Sequence, residues 1–217
     1  MRTMFEAEGV YHIYNRANGT ENLFREEQNY AFFLEKFFMY IHPVAQIYAW
    51  CLMPNHFHFM IQVRKEEELR SAAAFQKFQT FGKLETALLA KVISKQFSNL
   101  FSSYTQAYNK VYGRTGSLFQ PNMKKKEVNS DAYFTQLVLY IHNNPVKHGF
   151  VKNVYEWPYS SYHFITDNNK MQPDCIKLSK SFKLLESSRS EVLDWFGGLT
   201  YFKQAHQTIG DIKSVFY

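Results

Sequence analysis

The sequence predicts an α+β fold built on an antiparallel sheet, and three observations carry that prediction. Short segments with strand-like character stand at residues 10–16, 46–53 and 56–63. Longer stretches within 26–42, 64–112 and 131–144 repeat apolar residues every three or four positions, the period of a half-buried helix. The two kinds follow one another as strand, helix, hairpin, helix, strand, helix, an order that layers helices on an antiparallel sheet.

Val10 to Arg16 alternates its side chains and is rich in β-branched and aromatic residues, and Asn18-Gly19 ends it. From Glu26 to His42, Tyr30, Phe33, Phe37, Tyr40 and Ile41 recur at helical spacing until Pro43 stops the run. Pro54-Asn55 joins Gln46–Met53 to His56–Val63 as a turn, which makes the pair an antiparallel hairpin. Arg64 to Tyr112 reads as helical, with one stripe begun by Phe75 and Phe78. Phe97, Phe101, Tyr104, Tyr108 and Val111 form a second stripe, closed by Gly113 and Gly116. Ser117 to Val128 is a further strand, with Pro121 at an edge or bulge and Lys124-Lys125-Lys126 in its second half. Asp131 to Asn144 is a helix ended by Pro145, and Gly149 closes the turn. Further on, Ser188 and Glu191 have capping-box spacing ahead of Val192, Leu193 and Trp195, so residues 166–217 read as a helical extension of a main domain at 1–165.

A chain of 217 residues with 46% hydrophobic and 18% aromatic content can bury one sizeable core, which excludes a disordered protein. Its formal charge of +6 favours an anionic partner such as nucleic acid. Cys51 and Cys175 form no pair-spaced motif and read as free thiols of a reducing compartment. No stretch resembles a signal peptide or reaches the roughly 18 apolar residues of a membrane span, so a cytoplasmic location is expected.

The chemistry-bearing pattern is His56-Phe57-His58. Residues two apart on a strand share a face, with Cα atoms about 6.6 Å apart, close enough for two imidazoles to hold one metal ion. Phe57, Phe59, Ile61 and Val63 take the opposite face, which predicts a buried apolar side and an accessible histidine side, with helices mainly on one face of the sheet. By itself the pair is more often that of two solvated histidines on a strand. His12, on the first strand, is a possible neighbour of the site. On the helix before Pro145, Tyr133, Leu137, Tyr140 and Asn144 fall along one stripe. Spacing alone leaves Tyr140 as a core aromatic and Asn144 as a helix terminator.

Four segments change the weighting: Tyr11 to Arg16, Trp50 to His58, Tyr140 to Gly149, and Trp157 to Tyr162. A histidine pair after Met53-Pro54-Asn55, followed by a tyrosine helix running into Asn144-Pro145-Val146, resembles the single-tyrosine HUH transposases, and among them the REP-associated tyrosine transposases. The likeness spans most of residues 8–165. It implies a ferredoxin-like fold, with His56 and His58 as metal ligands, Tyr140 as nucleophile, and Asn144 where relatives often place a longer glutamine as third ligand. It further implies cleavage and strand transfer on single-stranded, hairpin or palindromic DNA through a 5′-phosphotyrosine, with Mg2+ or Mn2+ as cofactor, by a monomer or homodimer. Arg16, Arg114, Lys124, Lys125, Lys126 and Lys147 are candidates to hold the DNA backbone. Two other readings stand beside this one. The first is a nucleic-acid-binding domain of the same fold that does not cleave, presenting Tyr14, His56 and His58 to bases. The second, a zinc hydrolase of small molecules, lacks a carboxylate partner at comparable spacing.

Overall fold

The computed structural model describes residues 4–72, 86–167 and 185–208. Strand β1 (Val10–Arg16) is followed by α1 (Glu27–Ile41), β2 (Ala45–Met53), β3 (His56–Val63), α2 (Glu66–Ser71), α3 (Thr86–Tyr112), β4 (Lys124–Val128) and α4 (Asp131–Lys147). Beyond them lie a 3-10 turn at Val154–Glu156 and helices α5 (Tyr162–Ile165), α6 (Glu186–Trp195) and α7 (Leu199–Thr208). The four strands make one antiparallel sheet in the order β2-β3-β1-β4. That is the strand order of a ferredoxin-like sheet, with β1 and β3 at the centre. Among the described residues no helix is long and apolar enough to cross a membrane.

One face carries the larger core. Ile13, Phe57, Phe59 and Ile61 point into it and meet Phe33 and Phe37 of α1 and Phe97 and Tyr104 of α3. The Phe37 and Phe59 rings stack at 3.7 Å between centroids. Tyr104 also donates its hydroxyl to the Leu23 carbonyl at 2.6 Å inside this core. Tyr104→Phe keeps the ring but strips that carbonyl of its donor, and is expected to cost about 1–2 kcal/mol. Urea unfolding reads this as a lower midpoint at unchanged slope.

The opposite face is covered as well, so the helices are shared between the two faces rather than gathered mainly on one. Phe134, Leu137, Val138 and Ile141 of α4 pack on Ala49, Cys51, Met53 and Met60, and Val192 of α6 and Phe202 of α7 extend the layer. The histidine side expected to be accessible is therefore largely covered by α4, with His12 and His58 buried and His56 half-buried. Cys51 is a buried free thiol in this layer, and Cys175 lies outside the described residues.

Other departures have local causes. The helix expected over 64–112 appears as α2 and α3, while Phe75 and Phe78 lie outside the described residues. The strand expected from Ser117 begins only at Lys124, because Pro121 and Asn122, at φ 62, turn the chain first. Ser188 and Glu191 sit inside α6 instead of capping it, and Glu191 accepts from the Tyr48 hydroxyl at 2.7 Å and the Gln46 amide at 2.9 Å.

A buried polar chain ties α7 to α4. His206 Nδ1 donates to the Phe202 carbonyl at 2.7 Å, which leaves its Nε2 to accept from His142 Nδ1 at 2.9 Å. His142 Nε2 then accepts from the Ser161 hydroxyl at 2.7 Å, and that oxygen accepts from the Trp50 amide at 2.9 Å. Burial holds His206 down at about 4, so it is neutral when folded and protonates near 6.5 when unfolded. Between those values the unfolded chain binds more protons, so stability is complete above pH 6.5 and falls as pH drops toward 4. The contribution at stake is about 3 kcal/mol, and His206→Gln is expected to flatten part of this acid slope in thermal melts.

Candidate active site

The site lies where β1 and β3 run beneath α4. Register pairs Tyr14 with His58 and His12 with Met60, so His12, Tyr14, His56 and His58 share the α4 face. His12 Nε2 and His58 Nδ1 are 2.9 Å apart, and one imidazole N–H joins them. His56 Nδ1 donates to the Asn55 side-chain oxygen at 2.7 Å, which leaves a lone pair on Nε2. The His56 and His58 ring centroids are 5.3 Å apart.

Helix α4 supplies the other half. The Tyr140 ring meets His58 edge-on at 5.5 Å and His12 at 5.9 Å, and it is half-buried. One turn on, Asn144 is buried with Oδ1 at 3.1 Å from His56 Nε2. Pro145 does not end the helix before it. It stands in the last turn of α4, where a missing amide removes a single bond, and Asn144 keeps helical geometry. Gly149, at φ 73, then makes a Schellman cap: its amide bonds Val146 and that of Phe150 bonds Pro145.

Electrostatics keep the imidazoles neutral, the form a metal ligand needs. Burial pushes His12 down to about 3, aided by the charge of Lys126. His56 is lowered to about 4, chiefly by burial, and His58 is held well below its ordinary range by burial and by the histidines around it. Among the described residues no three His, Cys, Asp or Glu side chains cluster as a metal site. The third donor here is an amide. Asn144 Oδ1 faces His56 Nε2, while its buried Nδ2 has no hydrogen-bond partner among the described residues. Two lone-pair oxygen or nitrogen atoms about 3 Å apart have the spacing of adjacent ligands about 2.1 Å from an octahedral ion. His56 Nε2 and Asn144 Oδ1 thus have the spacing of two neighbouring ligands, with the His58 ring 5.3 Å from that of His56, and a set without a carboxylate leaves room for phosphate oxygens.

Comparison with known proteins gives this constellation a family context. No family model matches the chain. A curated Haemophilus influenzae protein described as a putative REP-associated tyrosine transposase is 28% identical over 123 residues, which cover 56% of this chain and 61% of the relative. The chain resembles the REP-associated tyrosine transposases. The Escherichia coli REP-associated tyrosine transposase is 38% identical over a shorter run of 47 residues, 22% of this chain and 28% of that one. A solved structure of a REP-associated tyrosine transposase bound to a REP hairpin matches with a TM-score of 0.55 and 19% identity, covering 80% of this chain and 87% of the other. That match shows the shared fold. The chain spans less than two thirds of the Haemophilus transposase.

The basic residues expected to serve a REP-transposase-like site divide into groups. Lys147 Nζ lies 5.5 Å from the Tyr140 ring centroid, and Arg16 is close enough to lower the pKa of His56. Lys124 and Lys126 share the α4 face, where Lys126 Nζ rests 4.9 Å over Tyr133. Lys125 points the other way, 3.8 Å over the Phe5 ring, so the three lysines are not one patch. The Arg114 guanidinium is engaged by Glu21 at 3.1 Å and Asn109 at 2.6 Å, a structural ion pair. His148 is the neighbour that sequence reading missed: its ring is 5.2 Å from His56, and its place four residues after Asn144 was the available signal.

Proposed function

We propose that this chain is a metal-dependent, single-tyrosine endonuclease and strand transferase acting on single-stranded DNA at hairpin or palindromic sites. The observation that carries the proposal is the Tyr140 phenol side of α4 facing His58 at 5.5 Å, with Asn144 at 3.1 Å from His56. All of these groups come from one chain, so the proposed cleavage runs in cis, whether in a monomer or a homodimer. The hairpin substrate is suggested by the ligand of the structural neighbour. On this reading the protein works in the cytoplasm.

In the proposed reaction the Tyr140 hydroxyl oxygen attacks a backbone phosphorus. An O–P bond forms, the P–O3′ bond breaks, the phenol loses its proton, and the leaving 3′-oxygen gains one. The product is a 5′-phosphotyrosine and a free 3′-hydroxyl. Attack by a 3′-hydroxyl reverses the exchange and releases Tyr140, so the phosphoryl bond is conserved without nucleotide hydrolysis. A phenol titrates near 10 and its anion is repelled by a phosphodiester. Lys147, beside the ring, and Arg16 offset that charge. A divalent ion, Mg2+ or Mn2+, held by His56, His58 and Asn144 would supply Lewis-acid stabilisation of the phosphate. Asn55 fixes the His56 ring, and His12 fixes that of His58.

The test is incubation with hairpin oligonucleotides and Mg2+ or Mn2+, with label on either side of the scissile bond. The proposal expects a detergent-stable adduct carrying only the 3′-side label. If hairpin binding occurs with no adduct on any of a panel of hairpins, the chain is a binding domain of this fold. The carboxylate-free donor set is the observation that favours that second reading.

A further inference from the structure

The cap of α4 places an exposed aromatic ring two residues beyond His148, which itself lies against His56. Phe150 follows Gly149 in the Schellman turn, a position whose side chain ordinarily folds back on the last helical turn. Phe150 instead stays 51% exposed, with its ring 5.6 Å from that of Trp157. Trp157 is fixed in place: its indole N–H donates to the Leu52 carbonyl at 3.0 Å. Leu52 is one register pair from Met53 and His56, so the indole is pinned to the hairpin that carries the histidines. Tyr159 continues the row at 5.6 Å from Trp157. The row begins two residues after His148, whose ring lies 5.2 Å from His56.

Charge around the row suits a phosphate backbone. Lys147 and Arg16 both act on His148, lowering its pKa after burial has done so. Glu156, the carboxylate of this loop, is occupied by the backbone amides of Lys152 and Asn153 and the Asn153 side chain. A half-exposed ring on a rigid base, two residues from a histidine that feels the charges of Lys147 and Arg16, matches an unpaired nucleobase, which presents an apolar face whatever its sequence.

We propose that Phe150 and Trp157 form a stacking site for an unpaired base of the DNA strand entering the cleft between His56 and Tyr140. The site rests on the nuclease reading for its choice of strand, and it supplies that reading with a sequence-tolerant grip next to the reacting phosphate.

The probe is an unstructured twelve-residue oligothymidylate. Phe150→Leu, which keeps an apolar side chain but no ring, is expected to weaken binding about tenfold, and Phe150→Tyr to restore it. In a Trp195→Phe background, where Trp157 is the partly exposed indole and Trp50 is buried, the same oligonucleotide is expected to quench tryptophan fluorescence. Binding by Phe150→Leu within twofold of the parent at an equal melting temperature overturns the proposal, as does unquenched fluorescence at saturation. Adduct formation on hairpins is scored in parallel. An adduct with a silent Phe150→Leu sinks the stacking site alone. Weakened binding without any adduct keeps the stacking site and removes the nuclease.

Discussion

Tyr140→Phe is expected to reduce covalent adduct formation by at least about a thousandfold while hairpin affinity changes by no more than about threefold. The variant loses one oxygen. Its ring keeps the edge-on contacts with His58 and His12, so the cleft retains its shape. Tyr14 is the proper control, because its ring also lies against the histidines, 4.8 Å from His12 and 5.6 Å from His58. It projects from the sheet alongside them, whereas Tyr140 faces them from α4. Tyr14→Phe is expected to leave the adduct intact, and an adduct lost with Tyr14 but kept without the Tyr140 hydroxyl would reassign the nucleophile. Gel separation of labelled adduct and anisotropy of the same oligonucleotide give the two readouts.

His58→Ala is expected to lower cleavage by about a hundredfold to ten-thousandfold, the several kcal/mol that a positioned divalent ion contributes to phosphoryl transfer. It should also weaken Mn2+ binding, measured calorimetrically without DNA, whereas His12→Gln should weaken it more mildly. His12 touches the proposed ligand through a 2.9 Å contact and acts by fixing its ring. Equal Mn2+ affinity in the parent and His58→Ala would remove the ion from this pair. Metal-independent adduct formation would remove it from the reaction.

Much of this was legible in the sequence because it depends on periodicity. Alternation put His56 and His58 on one face, Pro54-Asn55 made the hairpin, and a four-residue interval aligned Tyr140 with Asn144. What escaped depends on contacts between distant segments. Nothing local announces that Ser161 and His206 meet His142, 19 and 64 residues away. Nor does local pattern show that α6 and α7 roof the histidine face. Proline was over-read: Pro145 is tolerated in the last turn of α4, where one lost amide bond matters little. The lysine run was under-read. A strand divides consecutive residues between two faces, so Lys125 had to leave the side that Lys124 and Lys126 occupy.

Mass spectrometry of the protein–DNA adduct tests the central claim most directly. After nuclease trimming and proteolysis, the nucleotide mass is expected on the peptide containing Tyr140, attached through a 5′-phosphate and formed only with a divalent ion present. A nucleotide on any other side chain, or a stable hairpin complex that never yields a modified Tyr140 peptide, would contradict it.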